Sequence, residues 1–180
     1  MKLREQYNKN VKPALKEKFS YKNDMAIPKI VKISLNVGVG RFTKEKSYLE
    51  NVAHNLARIT GQKPIMTKAK KSISAFKVRE GTVIGVAVTL RGNRMYDFLE
   101  KLITVTFPRV RDFRGVDPKK VDRAGNLSVG FREHIAFPEI KADEVENIHG
   151  LEVNIATTAR THAEGVELFT LLGFPFKKDN

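Results

Sequence analysis

Hydrophobic and polar residues alternate along residues 31–37, with Val31, Ile33, Leu35 and Val37 on one face and Lys32, Ser34 and Asn36 on the other. A period of two is that of a strand buried on one side, so 29–37 is predicted as a half-buried strand. The alternation returns over 83–91, where Ile84, Val86, Val88 and Leu90 point inward and Gly85, Ala87, Thr89 and Arg91 outward. It returns again over 151–158, with Leu151, Val153 and Ile155 inward and Glu152, Asn154, Ala156 and Thr158 outward. A further strand is expected within 128–135.

Between the strands the period lengthens to that of a helix. Leu49, Val52, Ala53, Leu56 and Ile59 make one apolar stripe in a helix capped by Thr43 and stopped by Gly61. A second helix starts at Asn93, buries Met95, Phe98, Leu99, Leu102 and Ile103, and ends before Pro108. Thr161 and Glu164 form a capping-box pair opening a third, with Ala163, Val166, Phe169 and Leu172 apolar and Gly173 as the stop. Residues 4–19 make a weakly amphipathic helix that Pro13 interrupts. This order predicts an α+β open-faced sandwich, an antiparallel sheet with helices on one face, in a single domain over 1–180. A long loop is expected at about 109–126 and a basic extension at about 66–82. No internal repeat or low-complexity tract is visible.

The outward residues of the three clear strands are mostly Ser, Asn, Thr, Gly and Ala, not the Lys/Glu mix of an ordinary wet sheet, so a flat partner can approach the backbone. Charge indicates which partner. The 180 residues carry 33 basic and 20 acidic side chains, a formal net charge of +13. Residues 1–60 are net +8, 61–132 net +10 and 133–180 net −5. Within Gly61–Gly81, Lys63, Lys68, Lys70, Lys71, Lys77 and Arg79 face one acid, Glu80, among small and hydroxyl residues. Cations spaced in this way neutralise successive phosphates and release their counterions. A solvated basic loop is the plainer reading, and the open sheet face weighs against it.

With no cysteine, disulfides, thiolate metal sites and thiol catalysis are excluded. The N-terminal residues lack a signal-peptide apolar core, and no stretch approaches the roughly 20 apolar residues of a membrane span, so a cytoplasmic protein is expected. A peripheral membrane role would need a stronger basic amphipathic helix than 4–19. Gly38-Val39-Gly40 resembles part of a dinucleotide fingerprint, but Thr43 holds the third glycine position, and a tight turn needing positive φ is the simpler reading. It is the sole support for an alternative, an RNA-modifying or nucleotide-using enzyme on an α/β core. His54, His134, His149 and His162 lack ligand spacing; no metal or other cofactor is expected, and each is read as surface or RNA-facing. Asp143, Glu144 and Glu146 are read as solvated, not as a general acid/base pair. The aromatic strand motif of single-strand RNA readers is missing, which leaves shape, phosphate and sugar-hydroxyl contacts.

The run Leu56–Ser72 (LARITGQKPIMTKAKKS), with ISLNVGVG at 33–40, FKVREG at 76–81 and TTARTHAEGVELFTLLGFPF near the end, closely resembles the bacterial large-subunit ribosomal protein five family over essentially the whole chain. The resemblance implies a fold related to the RNA-recognition (ferredoxin-like) sandwich and a structural, non-enzymatic role in the large ribosomal subunit. It implies binding to 5S rRNA in the central protuberance, with 23S rRNA, P-site tRNA and small-subunit ribosomal protein thirteen as further partners, and a monomer outside the ribosome. The family's motifs carry over onto Asn36, Gln62, Lys63, Ser72 and Thr89, and with Lys32, Ser34, Lys68, Lys70, Lys71 and Arg91 these make the expected rRNA-binding set. Lys77, Arg79 and Gly81 are the expected tRNA-facing tip. Glu139, Asp143, Glu144 and Glu146 are the expected protein-bridge residues, with Arg109, Arg111 and Arg114 as competitors.

Overall fold

The computed structural model describes residues 2–40, 42, 45–141, 145 and 147–177. Five strands, β1 (Ile30–Gly38), β2 (Ile65–Lys68), β3 (Val83–Leu90), β4 (Leu127–Phe131) and β5 (Leu151–Thr157), form one sheet in the order β2-β3-β1-β5-β4. The helices are α1 (3–19), α2 (Lys46–Thr60), α3 (92–109) and α4 (His162–Leu171). β3 lies between β1 and β2, the strands that α2 connects, which is a split β-α-β unit. The fold is α+β with an open antiparallel sheet. β2 runs antiparallel to β3 with Ile65 opposite Ala87 and Thr67 opposite Gly85. Val39 N–H donates to the Ile84 carbonyl (3.0 Å) and Thr158 N–H to the Lys29 carbonyl (2.9 Å), so β1 meets both β3 and β5 end to start.

Two compact units share the strands. One comprises Met1–Ile33, Leu90–Val129 and Val153–Asn180, the other Ser34–Thr89 and Gly130–Glu152. In the first, Leu15, Leu99, Leu102, Phe107 and Phe169 are fully buried, and Phe174 meets Phe107 and Phe169 edge-on at 5.8 and 5.0 Å. In the second, Leu35, Leu56, Ile59, Val86 and Val88 make the core.

Period-two reading holds for Ile33, Leu35 and Val37, for Val86, Val88 and Leu90, and for Leu151, Val153 and Ile155, all buried. It fails at Val31, which is 38 % exposed while Ile30 is buried. Alternation assigns a face; it does not say whether anything covers it. Residues 128–135 split into β4 and a turn at His134–Ala136. β2, four residues long, has no alternation to announce it. Gly38 and Gly40 do not adopt positive φ and would meet nothing within 4 Å on gaining a Cβ, so the expected strained turn is absent.

Gly61 stops α2 in the left-handed conformation (φ 65°), while Thr43 lies outside the described residues. α1 and α3 each contain a widened turn hydrogen-bonded five residues apart, Tyr7–Val11 and Leu102–Thr106. Each is followed by a proline, Pro13 or Pro108, whose ring would clash with the carbonyl four residues back and which has no N–H to donate. The wider turn accommodates that defect, so α3 continues through Pro108 instead of ending before it. In α4, Thr161 Oγ1 accepts from Glu164 N–H (3.3 Å), but the Glu164 carboxylate turns to Arg160 N–H (2.7 Å) and the Tyr21 hydroxyl (2.6 Å). Its buried stripe is Gly165, Leu168 and Phe169; Ala163 is exposed and Val166 only half-buried.

Candidate nucleic-acid interface

On the open face of the second unit, Ser34 and Asn36 stand on β1, Thr67 on β2, and Gly85, Ala87 and Thr89 on β3. Thr67 and Gly85 are register partners, and a Cβ placed on Gly85 would lie 2.6 Å from Thr67 Oγ1 and 3.6 Å from Asn36 Oδ1, which puts three strands' residues in one row. Among the described residues the side chains of Ser34, Asn36, Thr67 and Thr89 make no hydrogen bond within the protein. Elsewhere the hydroxyls of Thr60, Thr104, Thr157 and Thr170 each donate to a carbonyl. The face therefore carries unused donors and acceptors on a rigid backbone. Lys32 and Arg91 belong to the other unit, Lys32 half-buried on β1 and Arg91 exposed just past β3.

Two polar residues expected to meet RNA also make a hydrogen bond within the protein. Gln62 Nε2 donates to the Thr89 carbonyl (3.1 Å), fastening the turn after α2 to β3. Ser72 Oγ accepts from Glu80 N–H (2.9 Å), bracing a hairpin. That hairpin is the basic extension: Ala69 N–H donates to Thr82 O (2.8 Å), Gly81 N–H to Ala69 O (3.0 Å), and Ile73 pairs with Val78 by two bonds of 2.9 and 3.2 Å. Lys77 turns its tip with φ 53° and Gly81 its return with φ 81°.

Lys63, Lys68, Lys70, Lys71, Lys77 and Arg79 are exposed and join no ion pair among the described residues. Exposed apolar groups interleave with them: Ile65 (66 %), Met66, Ile73 and Phe76 (74 %). A groove of about 1280 Å³ lies beside the hairpin, lined in part by Phe42, Tyr48, Ile73, Phe76 and Ile84. A reading of the segment as basic and small misses this apolar content, although Ile, Met and Phe stand plainly in it.

His134 and His149 overturn the expectation of surface histidines, since both are buried; His54 and His162 are exposed as expected. Glu139 is half-buried, whereas Asp143, Glu144 and Glu146 lie outside the described residues. Arg109 at the end of α3, and Arg111 and Arg114 in the loop that follows and turns at Asp112 with φ 54°, are exposed in the first unit. Among the described residues there is no group of three His, Cys, Asp or Glu able to hold a metal, and no helix long and apolar enough to cross a membrane.

Residues 23–79 match the family model described as ribosomal protein L5, and residues 83–176 match the model of the C-terminus of that ribosomal family. The chain is 54 % identical over 175 residues to the large ribosomal subunit protein uL5 of Desulforapulum autotrophicum, covering 97 % of this chain and 98 % of that one. It is 53 % identical over 176 residues to the protein of the same name from Desulfatibacillum aliphaticivorans (98 % of each). To that of Thermotoga maritima it is 51 % identical over 176 residues, 98 % of this chain and 96 % of the relative. The chain belongs to the ribosomal protein L5 family, a family of ribosomal proteins and not of enzymes.

Proposed function

We propose that this protein is a cytoplasmic constituent of the large ribosomal subunit that holds 5S rRNA on the open face of its sheet. The observation that carries the reading is the set of unused polar side chains on that face, Ser34, Asn36 and Thr89, in a chain of net charge +13. Their small neighbours let a backbone or sugar edge come close, and they suit folded RNA better than stacked single-strand bases. Lys63, Lys68, Lys70 and Lys71, with Lys32 and Arg91, supply the counterion-release part of affinity, while Gln62 and Ser72 hold the basic segment in shape for it. The hairpin tip at Lys77, Arg79 and Gly81 faces the P-site tRNA, the acidic run beginning at Glu139 meets small-subunit ribosomal protein thirteen, and 23S rRNA completes the anchorage. Outside the ribosome the protein is a monomer.

The test is 5S rRNA binding by Asn36→Leu and Thr89→Leu. Neither side chain enters the core, so both variants keep the fold and lose about 1 to 3 kcal/mol of binding through clash and unpaired polar groups. If both bind 5S rRNA as tightly as the parent, the face assignment is wrong.

A further inference from the structure

Thr67 is not among the residues that the sequence assigns to RNA, and β2 is too short to be read from the sequence. Three oxygens nonetheless surround the space above Gly85: the position of a Cβ there is 2.6 Å from Thr67 Oγ1, 3.2 Å from the Val37 carbonyl oxygen and 3.6 Å from Asn36 Oδ1. Any residue larger than glycine would meet Thr67 Oγ1, so Gly85 leaves room for a hydroxyl from β2 and a carboxamide from β1 on the same side of β3. Neither group is used: the Thr67 hydroxyl and the Asn36 carboxamide make no hydrogen bond among the described residues. Thr67 is half-buried, and its hydroxyl remains open to solvent and to a partner.

We infer that Thr67 and Asn36, spaced by Gly85, form a subsite for a ribose 2′-hydroxyl of the bound RNA. The inference rests on the sheet-face reading above and deepens it. None of the three converging oxygens belongs to a charged group, and two carbonyl oxygens accept only. A phosphate oxygen only accepts, so it could use the Thr67 hydroxyl but would find no complement in the two carbonyl oxygens. A ribose hydroxyl both donates and accepts: it donates to a carbonyl oxygen and accepts from the Thr67 hydroxyl. It is also the group that separates RNA from DNA at a given contact. The subsite thus supplies selectivity for RNA, and the exposed lysines of the hairpin supply affinity without it.

The experiment measures binding of the full-length protein to 5S rRNA molecules carrying single 2′-deoxy substitutions. Thr67→Val, which keeps the shape and removes the hydroxyl, is expected to weaken binding about tenfold without changing the melting temperature by more than a degree or two, and Thr67→Ser restores it. Gly85→Ala, by displacing Oγ1, gives a loss of the same order. One 2′-deoxy position should weaken the parent several-fold and leave Thr67→Val unaffected, because a shared contact cannot be lost twice. If Thr67→Val binds as the parent while Asn36→Leu does not, the subsite is overturned and the sheet-face reading stands; if Thr67→Val, Asn36→Leu and Thr89→Leu all keep the parent's affinity, both fall. A loss in Thr67→Val that adds fully to every 2′-deoxy substitution overturns the ribose assignment.

Discussion

The imidazole rings of His134 and His149 stack with their centroids 3.9 Å apart and their planes within 5°, inside the second unit. His134 Nδ1 lies 3.2 Å from the His149 carbonyl oxygen and 3.3 Å from the His149 backbone N–H, and the Asn55 side-chain amide nitrogen lies 3.5 Å from its Nε2. His149 in turn directs Nδ1 at the Gly150 carbonyl (3.3 Å), and its Nε2 is buried without a partner among the described residues. Both rings are neutral in this arrangement. Burial lowers both pKa values, and that of His149, with His134 beside it, is pushed down to about 4.

The first prediction is acid lability in a defined window. Because the folded pKa lies below the unfolded value near 6.5, the neutral pair contributes stability above about pH 6.5, and the contribution is lost as pH falls toward 4. A shift of this size corresponds to roughly 3 to 4 kcal/mol at most. Melting temperature measured from pH 7 to pH 4 should fall steeply, and His149→Phe, which keeps a ring against His134 and cannot titrate, should flatten the fall. An equal decline in parent and variant would remove the pair from the acid response.

A second prediction concerns the approach of α4 to the loop at Gly125. A Cβ on Gly165 would lie 2.5 Å from the Gly125 Cα and 2.8 Å from its carbonyl oxygen, with no flexible side chain able to yield. Gly165→Ala should cost about 1 to 3 kcal/mol by overpacking, or more if the helix cannot shift. Gly130→Ala is the control, since nothing lies within 4 Å of a Cβ there and its φ is ordinary. Urea unfolding midpoints read the difference directly.

The shift of the α4 stripe shows where sequence patterning stops. Gly165 is buried by close backbone approach, which is not a hydrophobic signal, so a count of apolar residues selects Ala163 and Val166 instead. On the sheet, Ser34, Asn36 and Thr89 were legible because their strands are long enough for period two to emerge. Thr67 was not, because β2 has only four residues and its face is defined by pairing with Gly85 on another strand. Gln62 and Ser72 have chemistry that fits RNA, and only the positions of the Thr89 carbonyl and the Glu80 N–H reveal that each also makes a hydrogen bond within the protein. His134 and His149, fifteen residues apart, meet through tertiary structure alone.

The third prediction follows from the exposure of the hairpin lysines. Affinity for 5S rRNA should fall steeply with salt, and changing Lys68, Lys70 and Lys71 together to Gln should reduce the slope of log K against log salt by somewhat less than about one unit per phosphate contact removed. Melting temperature should hardly change, because none of the three forms an ion pair among the described residues. A slope equal to the parent's would mean that these side chains are simply solvated.

The fourth prediction separates the two ends of the charge distribution. Residues 133–180 are net −5 in a chain of net +13, and their acids would repel RNA phosphates. Reversing Asp143, Glu144 and Glu146 to Lys, and leaving the half-buried Glu139 in place, should leave 5S rRNA binding intact or slightly tighter and weaken joining of the two ribosomal subunits, because a basic partner loses its complement. The effect should shrink at high salt, where exposed charges are screened within roughly 10 Å or less. Sedimentation at low magnesium reads subunit joining. If the reversed protein supports it as well as the parent does, the acidic run does not form the bridge, and the exposed Arg109, Arg111 and Arg114 become the surface to reverse next.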